Sequence, residues 1–233
     1  MCGRYTRYLS WSEIHRLYRL TTDWERQRND EPAYNIAPTE DVVFVTASED
    51  GNHKLREGRW WLVPWWAKEM PKGAMFNARS ETADTSGAFK DAFKSKRCLI
   101  PADGFYEWTL SPADKGRDPW YIFLPDHRPF SFAGLWAHND NLGITSCTIL
   151  TAAAQDPMVS LHDRQPVILA PEIYDAWLDP RTPVGEAKAL LSHDLDGQLQ
   201  FYRVDRQVNS SKNKGGDEMI TPIDMRTAYG IRQ

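Results

Sequence analysis

Between "VVFVTA", which begins at residue 42, and "TSCTILTAA", which ends at residue 153, the chain repeats one pattern: short apolar or aromatic runs broken by turn formers. "VVFVTA", "RWWLV", "RCLIPADGFYEW", "PWYIFL", "FSFAGLWA" and "TSCTILTAA" are rich in β-branched and aromatic residues. The stretches "SEDGNH", "SPADKGRD" and "NDNLG" carry the Gly, Pro, Asn and Asp of tight turns. Six such runs predict a substantial sheet in mid-chain. Helical spacing appears only around them. In "SWSEIHRLYRL", Ser10 and Glu13 occupy capping-box positions ahead of an Ile14, Leu17, Tyr18 stripe. "GAFKDAFKS", "PEIYDAWLD" and "VGEAKALLS" follow the same period, and "LQFYRVD" reads as a last strand. Strands and helices segregate instead of alternating. The expected fold is therefore α+β, a curved, mostly antiparallel sheet or open barrel with flanking helices. "SSKNKGGDEM" is the most linker-like stretch, but it lies too near the end to divide domains, so one domain over residues 1–233 is expected.

Composition narrows the class. A chain of 233 residues, 41% hydrophobic and 26% charged, can bury a sizeable core. No apolar run approaches the roughly 20 residues that span a bilayer, and charge is spread through the first turns of the sequence, so no membrane helix or secretory signal is expected. The expectation is a soluble, cytoplasmic protein. Cys2, Cys98 and Cys147 are odd in number and widely spaced, which fits neither a disulfide framework nor a zinc site. Cys98 and Cys147 sit in apolar runs and read as inert core thiols. His15, His53, His127, His138 and His193 show no metal-ligand spacing, so no metal and no cofactor are expected. A net charge of −4 argues against non-specific wrapping of nucleic acid but leaves room for a local basic groove.

The residues that can carry chemistry begin at the second position, in "MCGRYT". Removal of the initiator methionine leaves Cys2 with an amine and a thiol on adjacent carbons. An α-amino group has a pKa near 7.7–8.0 against about 10.4 for lysine, so at neutral pH it is the better amine nucleophile. Its attack on an aldehyde gives a Schiff base that the thiol can close to a thiazolidine. The plainer reading is a small residue in a first strand. In "NARSET", Asn77 and Arg79 are two apart and point to one side of an extended segment, where they could hold a phosphate. A structural salt bridge is the alternative for Arg79. In "ADGFYEW", alternation puts Phe105 and Glu107 on one face, Tyr106 and Trp108 on the other. A glutamate among aromatics is either paired or has a pKa raised into the range of proton transfer. "SLHDRQPVIL" places His162, Asp163 and Arg164 between a short helical piece and a strand, where a histidine is a cap unless it has chemical company. In "WWLVPWWAK", Trp65 and Trp66 follow a proline and precede Lys68, the arrangement of a nucleobase-stacking loop.

The set "MCGR", "YNIAPT", "NARSET", "DGFYEW", "HDRQP" and "VNSSKN", in this order from Cys2 to the "MITPI" stretch, resembles the SRAP (SOS-response-associated peptidase) family. That resemblance implies recognition of abasic sites in single-stranded DNA and at junctions, and their trapping as covalent protein-DNA crosslinks. It also implies a thiol autopeptidase activity and a possible lyase activity. Cys2 would be the crosslinking nucleophile, Glu107 the acid/base and His162 an aid to Schiff-base chemistry and strand cleavage. Arg4, Asn77 and Arg79 would hold flanking phosphates, with less help from Lys212 and Lys214, while Asn35 and Pro38 shape the site. The implied partner is DNA containing abasic sites, bound by a monomer. Trp61 and Trp65 depart from the family's usual small residues in this loop, which leaves the stacking by Trp65 and Trp66 open. Two other classes carry the same "MCG" start or the same aromatic loop: an N-terminal-cysteine amidotransferase, and a non-catalytic single-strand binding module. Release of ammonia from glutamine would mark the first. Binding that survives a blocked N-terminus would mark the second.

Overall fold

One residue, Asp103, separates two strands that belong to different sheets. The computed structural model describes residues 2–20, 30–48, 51–192 and 195–223. Met1 and His193 lie outside them. The first strands are β1 (Tyr5–Arg7), β2 (Ala33–Ile36), β3 (Asp41–Ala47), β4 (His53–Trp60), β5 (Asn77–Arg79) and β6 (Arg97–Ala102). They are followed by β7 (Gly104–Leu110), β8 (Arg117–Phe123), β9 (Phe130–Asn139), β10 (Ile144–Ala153), β11 (Arg164–Pro166), β12 (Ile168–Leu169) and β13 (Gln200–Arg203).

The larger sheet closes on itself. Strands β4, β3, β6 and β9 pair antiparallel in that order, β9 pairs β10 from Asn139↔Ile144 to Gly134↔Ile149, and β10 returns to β4 in parallel through Ser146↔Arg59. Beyond the ring, the far half of β10 carries β5 in parallel (Thr151↔Arg79) and β11 antiparallel (Thr151↔Pro166). The smaller sheet is antiparallel throughout, in the order β13-β8-β7-β1-β2. The expected α+β fold with a curved, mostly antiparallel sheet is what the chain adopts, with the barrel closed instead of open.

Asp103 holds the crossover. Its Oδ2 accepts from the backbone N–H of Tyr8 and of Leu9, the latter at 3.0 Å, and its own N–H donates to the Thr6 carbonyl at 3.0 Å. Burial pushes its carboxyl up to about 7 against these two donors. The next residue must be glycine, because a Cβ on Gly104 would lie 2.3 Å from the Tyr121 ring. Gly104→Ala is therefore expected to destabilise the fold by about 1–3 kcal/mol through overpacking. Equilibrium denaturation checks this, and a variant with an unchanged midpoint would contradict the tight packing.

The two sheets share a core. Tyr5, Phe105 and Ile122 of the smaller sheet pack with Phe44, Trp60, Ile100, Phe132 and Ile149 of the barrel, and Cys2 is part of that cluster. The helices Trp11–Tyr18, Lys90–Ser95, Tyr174–Leu178 and Val184–Leu190 cover the barrel's other side through Ile14, Tyr18, Phe93 and Trp177. The capping box at Ser10 and Glu13 is formed in both directions. Buried Arg97 satisfies carbonyls of two helices, donating to Phe93 (2.8 Å), Lys94 (3.0 Å) and Trp177 (2.6 Å).

Several expected elements are corrected. "RWWLV" is a strand only in its first two residues: β4 ends at Trp60, where the indole N–H donates to the Phe76 carbonyl at 2.8 Å, and Leu62 N–H turns to Met75 at 3.1 Å. The strand extends in the other direction, into the charged "HKLREGR", where His53, Leu55 and Gly58 are buried and the Lys, Arg and Glu side chains are not. "RCLIPADGFYEW" is two strands, not one. "PEIYDAWLD" opens as a 3-10 turn, Pro171–Ile173, before its helix. "SSKNKGGDEM" is no linker: Ser210 and Asn213 carbonyls accept from Asn35, and Met219 is buried.

Candidate active site

The crossover puts the start of the chain against the middle of β7. Cys2 is wholly buried, its carbonyl accepts from Asn77 Nδ2 at 2.8 Å, and its Sγ lies 3.9 Å from the Arg4 carbonyl. Burial first, and the nearby Glu107 carboxylate second, push the thiol well above its ordinary range. Cys2 thus holds its proton at neutral pH, and a base is needed to make its sulfur a nucleophile.

Glu107 is set by the period of β7. Phe105 and Glu107 face the shared core while Tyr106 and Trp108 face the smaller sheet's outer cluster, as alternation predicts. Glu107 is 3% exposed, and burial raises its pKa although the neighbouring His162 works in the opposite direction. A carboxyl whose pKa is raised keeps its proton to higher pH than an ordinary carboxylate, which suits it to proton donation. His162 follows the 3-10 turn Met158–Ser160 and keeps 30% of its side chain exposed. Its N–H donates to the Met158 carbonyl at 3.1 Å. A thiol, a carboxyl, an imidazole and an amide thus meet where Cys2 enters the core.

The remaining candidates separate into supports and exposed groups. On β5, Ala78 is buried, Asn77 half-buried and Arg79 exposed. Asn77 is committed through its Nδ2 to the Cys2 carbonyl, which makes it a holder of Cys2 before it can be anything else. Arg4 donates to Asn35 Oδ1 (2.7 Å) and to the Val208 carbonyl (2.8 Å), and its guanidinium lies 5.6 Å from the Trp108 ring centroid. Asn35 is buried and gives its Nδ2 to Ser210 (3.1 Å) and Asn213 (2.6 Å), so "YNIAP" and "VNSSKN" form one support under Arg4. Pro38 sits half-buried in the turn that follows β2. Lys214 pairs with Glu40 and donates to the Asn35 carbonyl at 3.0 Å, while Lys212 is exposed. Trp65 and Trp66 are 58% and 51% exposed, and the Trp65 indole donates to Asp91 at 3.1 Å. Trp61, by contrast, lies tilted on Phe76 with centroids 5.7 Å apart. A cavity of about 740 Å³ lined by Arg19, His53, Asp175 and Arg181 holds none of these residues.

Residues to which the sequence assigned no role complete the site. Trp108 donates from Nε1 to Asn209 Oδ1 at 2.7 Å and so ties β7 to the "VNSSKN" segment. Glu81 and Arg164 join "NARSET" to "HDRQP" through both carboxylate oxygens. Each lies within a motif, but its partner is far away in the chain.

The matched extent decides the family: the model of the SOS response associated peptidase (SRAP) family covers residues 1–211, which includes every residue of this site except Lys212, Asn213 and Lys214. The chain belongs to the SRAP family. It is 36% identical over 223 residues to abasic site processing protein YoaM of Bacillus subtilis, covering 93% of this chain and 96% of that one. It is 31% identical over 231 residues to abasic site processing protein YedK of Escherichia coli, covering 96% and 100%. Among solved structures, a protein from Bacteroides thetaiotaomicron superposes with a TM-score of 0.80 at 20% identity, covering 96% of this chain and 100% of that one. A phage-related protein from Bordetella bronchiseptica does so with a TM-score of 0.71 at 30% identity, covering 87% and 94%. The fold is therefore shared with solved proteins that are only 20% and 30% identical to this chain.

Proposed function

We propose that this SRAP protein binds abasic sites in single-stranded DNA and traps the ring-opened sugar as a thiazolidine on Cys2. The observation that carries the reading is the burial of Cys2 beside a Glu107 carboxyl whose pKa is raised. Loss of Met1 exposes the α-amine, which attacks the sugar aldehyde carbon. Protonated Glu107 gives its proton as the ring oxygen or the carbinolamine hydroxyl departs, and water leaves. The resulting Glu107 carboxylate then takes the Cys2 thiol proton while sulfur adds to the iminium carbon. Aldehyde and aminothiol become thiazolidine and water, and Glu107 ends protonated as it began. One carboxyl serves as acid and then as base, which a pKa in the ordinary carboxylate range would serve poorly at neutral pH.

The same nucleophile and carboxyl suit removal of the leading residue, and His162 suits strand cleavage beside the lesion. Asn77 holds the Cys2 carbonyl and so fixes the direction of the amine. The exposed Arg79 meets a flanking phosphate, Arg4 contributes a second cation, and Trp65 and Trp66 stack on neighbouring bases. An abasic position has no base to read, so affinity comes from backbone and neighbours. The protein acts in the cytoplasm as a one-domain monomer, on single strands and at junctions.

The deciding experiment incubates the purified, Met1-processed protein with single-stranded DNA carrying one abasic site and looks for an adduct that survives denaturation. No adduct, with binding intact, would remove the covalent reading. Binding itself has a second test. Each phosphate neutralised on a single strand contributes a slope of about −0.7 to the log-log dependence of affinity on salt. Arg79→Ala is expected to make the slope shallower by about that amount. Trp66→Ala is expected to weaken binding by roughly 1–3 kcal/mol with the slope unchanged. A flat response to Arg79→Ala would take the phosphate contact away from this residue.

A further inference from the structure

His162 has two partners on a single nitrogen. The backbone N–H of Arg164 donates to Nδ1 at 2.9 Å, and Asp163 Oδ1 lies 2.7 Å from the same atom. Both cannot act at once, because the N–H needs a lone pair on Nδ1 and the carboxylate needs a proton there. They differ in how firmly they are held. Asp163 is 86% exposed and free to rotate in solvent. The Arg164 N–H belongs to the first residue of β11, whose Cα pairs with Ala153. Its side chain is only 11% exposed and is anchored on Glu81 through both carboxylate oxygens (2.5 and 2.9 Å) and on the Thr151 carbonyl (2.6 Å). The same Thr151 carbonyl accepts the Ser80 N–H at 2.9 Å, so Glu81, Ser80 and Arg164 converge on one point of β10.

We propose that His162 keeps a proton on Nε2 in both of its charge states, and that the Glu81–Arg164 pair is the positioning element that enforces this. In the neutral ring the Arg164 N–H occupies the Nδ1 lone pair, which puts the single proton on Nε2. When the ring gains a proton it gains it at Nδ1, the Arg164 bond is lost, and Nδ1–H turns to Asp163. Nε2 carries its hydrogen throughout. His162 is then a steady hydrogen-bond donor at that nitrogen, with its charge set at the other one. Glu107 and Asp163 are charged groups that act on the ring, and Arg164 acts on it through its backbone N–H. This deepens the proposed chemistry, in that a donor at Nε2 can hold a sugar oxygen or phosphate but cannot withdraw a proton from it. Proton removal is left to Glu107.

The test is nitrogen-proton NMR of the free protein labelled with ¹⁵N-histidine, with the His162 signals identified by their loss in His162→Gln. The expected result for the neutral ring is an unprotonated Nδ1 and a protonated Nε2. A neutral ring with its proton on Nδ1 would overturn the inference. Glu81→Gln loosens the anchor and is expected to raise the other tautomer and slow adduct formation at saturating DNA by about 10-fold, less than the roughly 10²-fold that a 1 Å misplacement can cost. The DNA concentration for half-saturation should stay unchanged. Glu81→Asp, which restores the carboxylate, should recover both the tautomer and most of the rate. A Glu81→Gln variant that loses rate with unchanged tautomer signals would remove Glu81 from this role. The tautomer is read without DNA, so it decides the inference whether or not an adduct forms.

Discussion

Cys2→Ala should lose the denaturant-resistant adduct with abasic DNA entirely, and borohydride should bring trapping back. The variant keeps an N-terminal amine, so it can still form an imine with the sugar aldehyde. Without the neighbouring sulfur that imine hydrolyses, and hydride addition to its carbon is the remaining route to a stable bond. Denaturing electrophoresis with and without the reductant reads both states. Cys98 and Cys147 are buried with thiols pushed up by burial, and cannot substitute for Cys2. A Cys2→Ala protein that forms a fully stable adduct unaided would end the thiazolidine mechanism.

The second large effect is expected at Glu107. Glu107→Gln should slow adduct formation by on the order of 10²–10⁴-fold, the usual loss for a positioned acid/base, with DNA affinity retained. The pH profile gives the stronger test. Because burial raises the Glu107 pKa, the acid form persists above the usual carboxylate range. The acid-dependent step should fall as pH rises through that pKa, and the Gln variant should lack this limb. The same shift predicts a change in stability. A carboxyl whose pKa is raised by folding favours the native state below its unfolded value, about 4.3, and loses that contribution as pH rises through its folded value. Glu107→Gln cannot ionise. It should therefore hold its Tm at alkaline pH at least as well as the wild type, which would mark Glu107 as kept for chemistry and not for the fold. Loss of DNA binding in proportion to rate, or a lower Tm at alkaline pH, would make Glu107 structural.

What was legible in the sequence depended on neighbours a few positions apart. The capping box at Ser10 and Glu13 spans a single turn, and the alternation that sends Glu107 inward and Trp108 outward is a property of any extended chain. Segregation of strands from helices was enough to give the fold class. The residue types of the motifs were enough to nominate Cys2, Glu107, His162 and Asn77, and the structure brings those four to one place.

Only the tertiary structure decided the rest, because it rests on contacts that no local pattern encodes. The end of β4 at Trp60 is set by an indole bond to the Phe76 carbonyl, so the apolar "WLV" that follows carries strand propensity without a strand partner. The split at Asp103 depends on Tyr8 and Leu9, 94 positions or more away. Asn77 reads as a phosphate ligand in sequence, yet its amide holds a carbonyl 75 positions away, and Arg4 rests on a carbonyl 204 positions away. The sequence thus determined which chemical groups the chain possesses and which face of its strand each occupies. Folding determined which of them are spent on holding one another and which remain exposed to a substrate. That division follows from burial: a polar group taken out of water must find a partner, and the only partners inside are those that the fold brings to it.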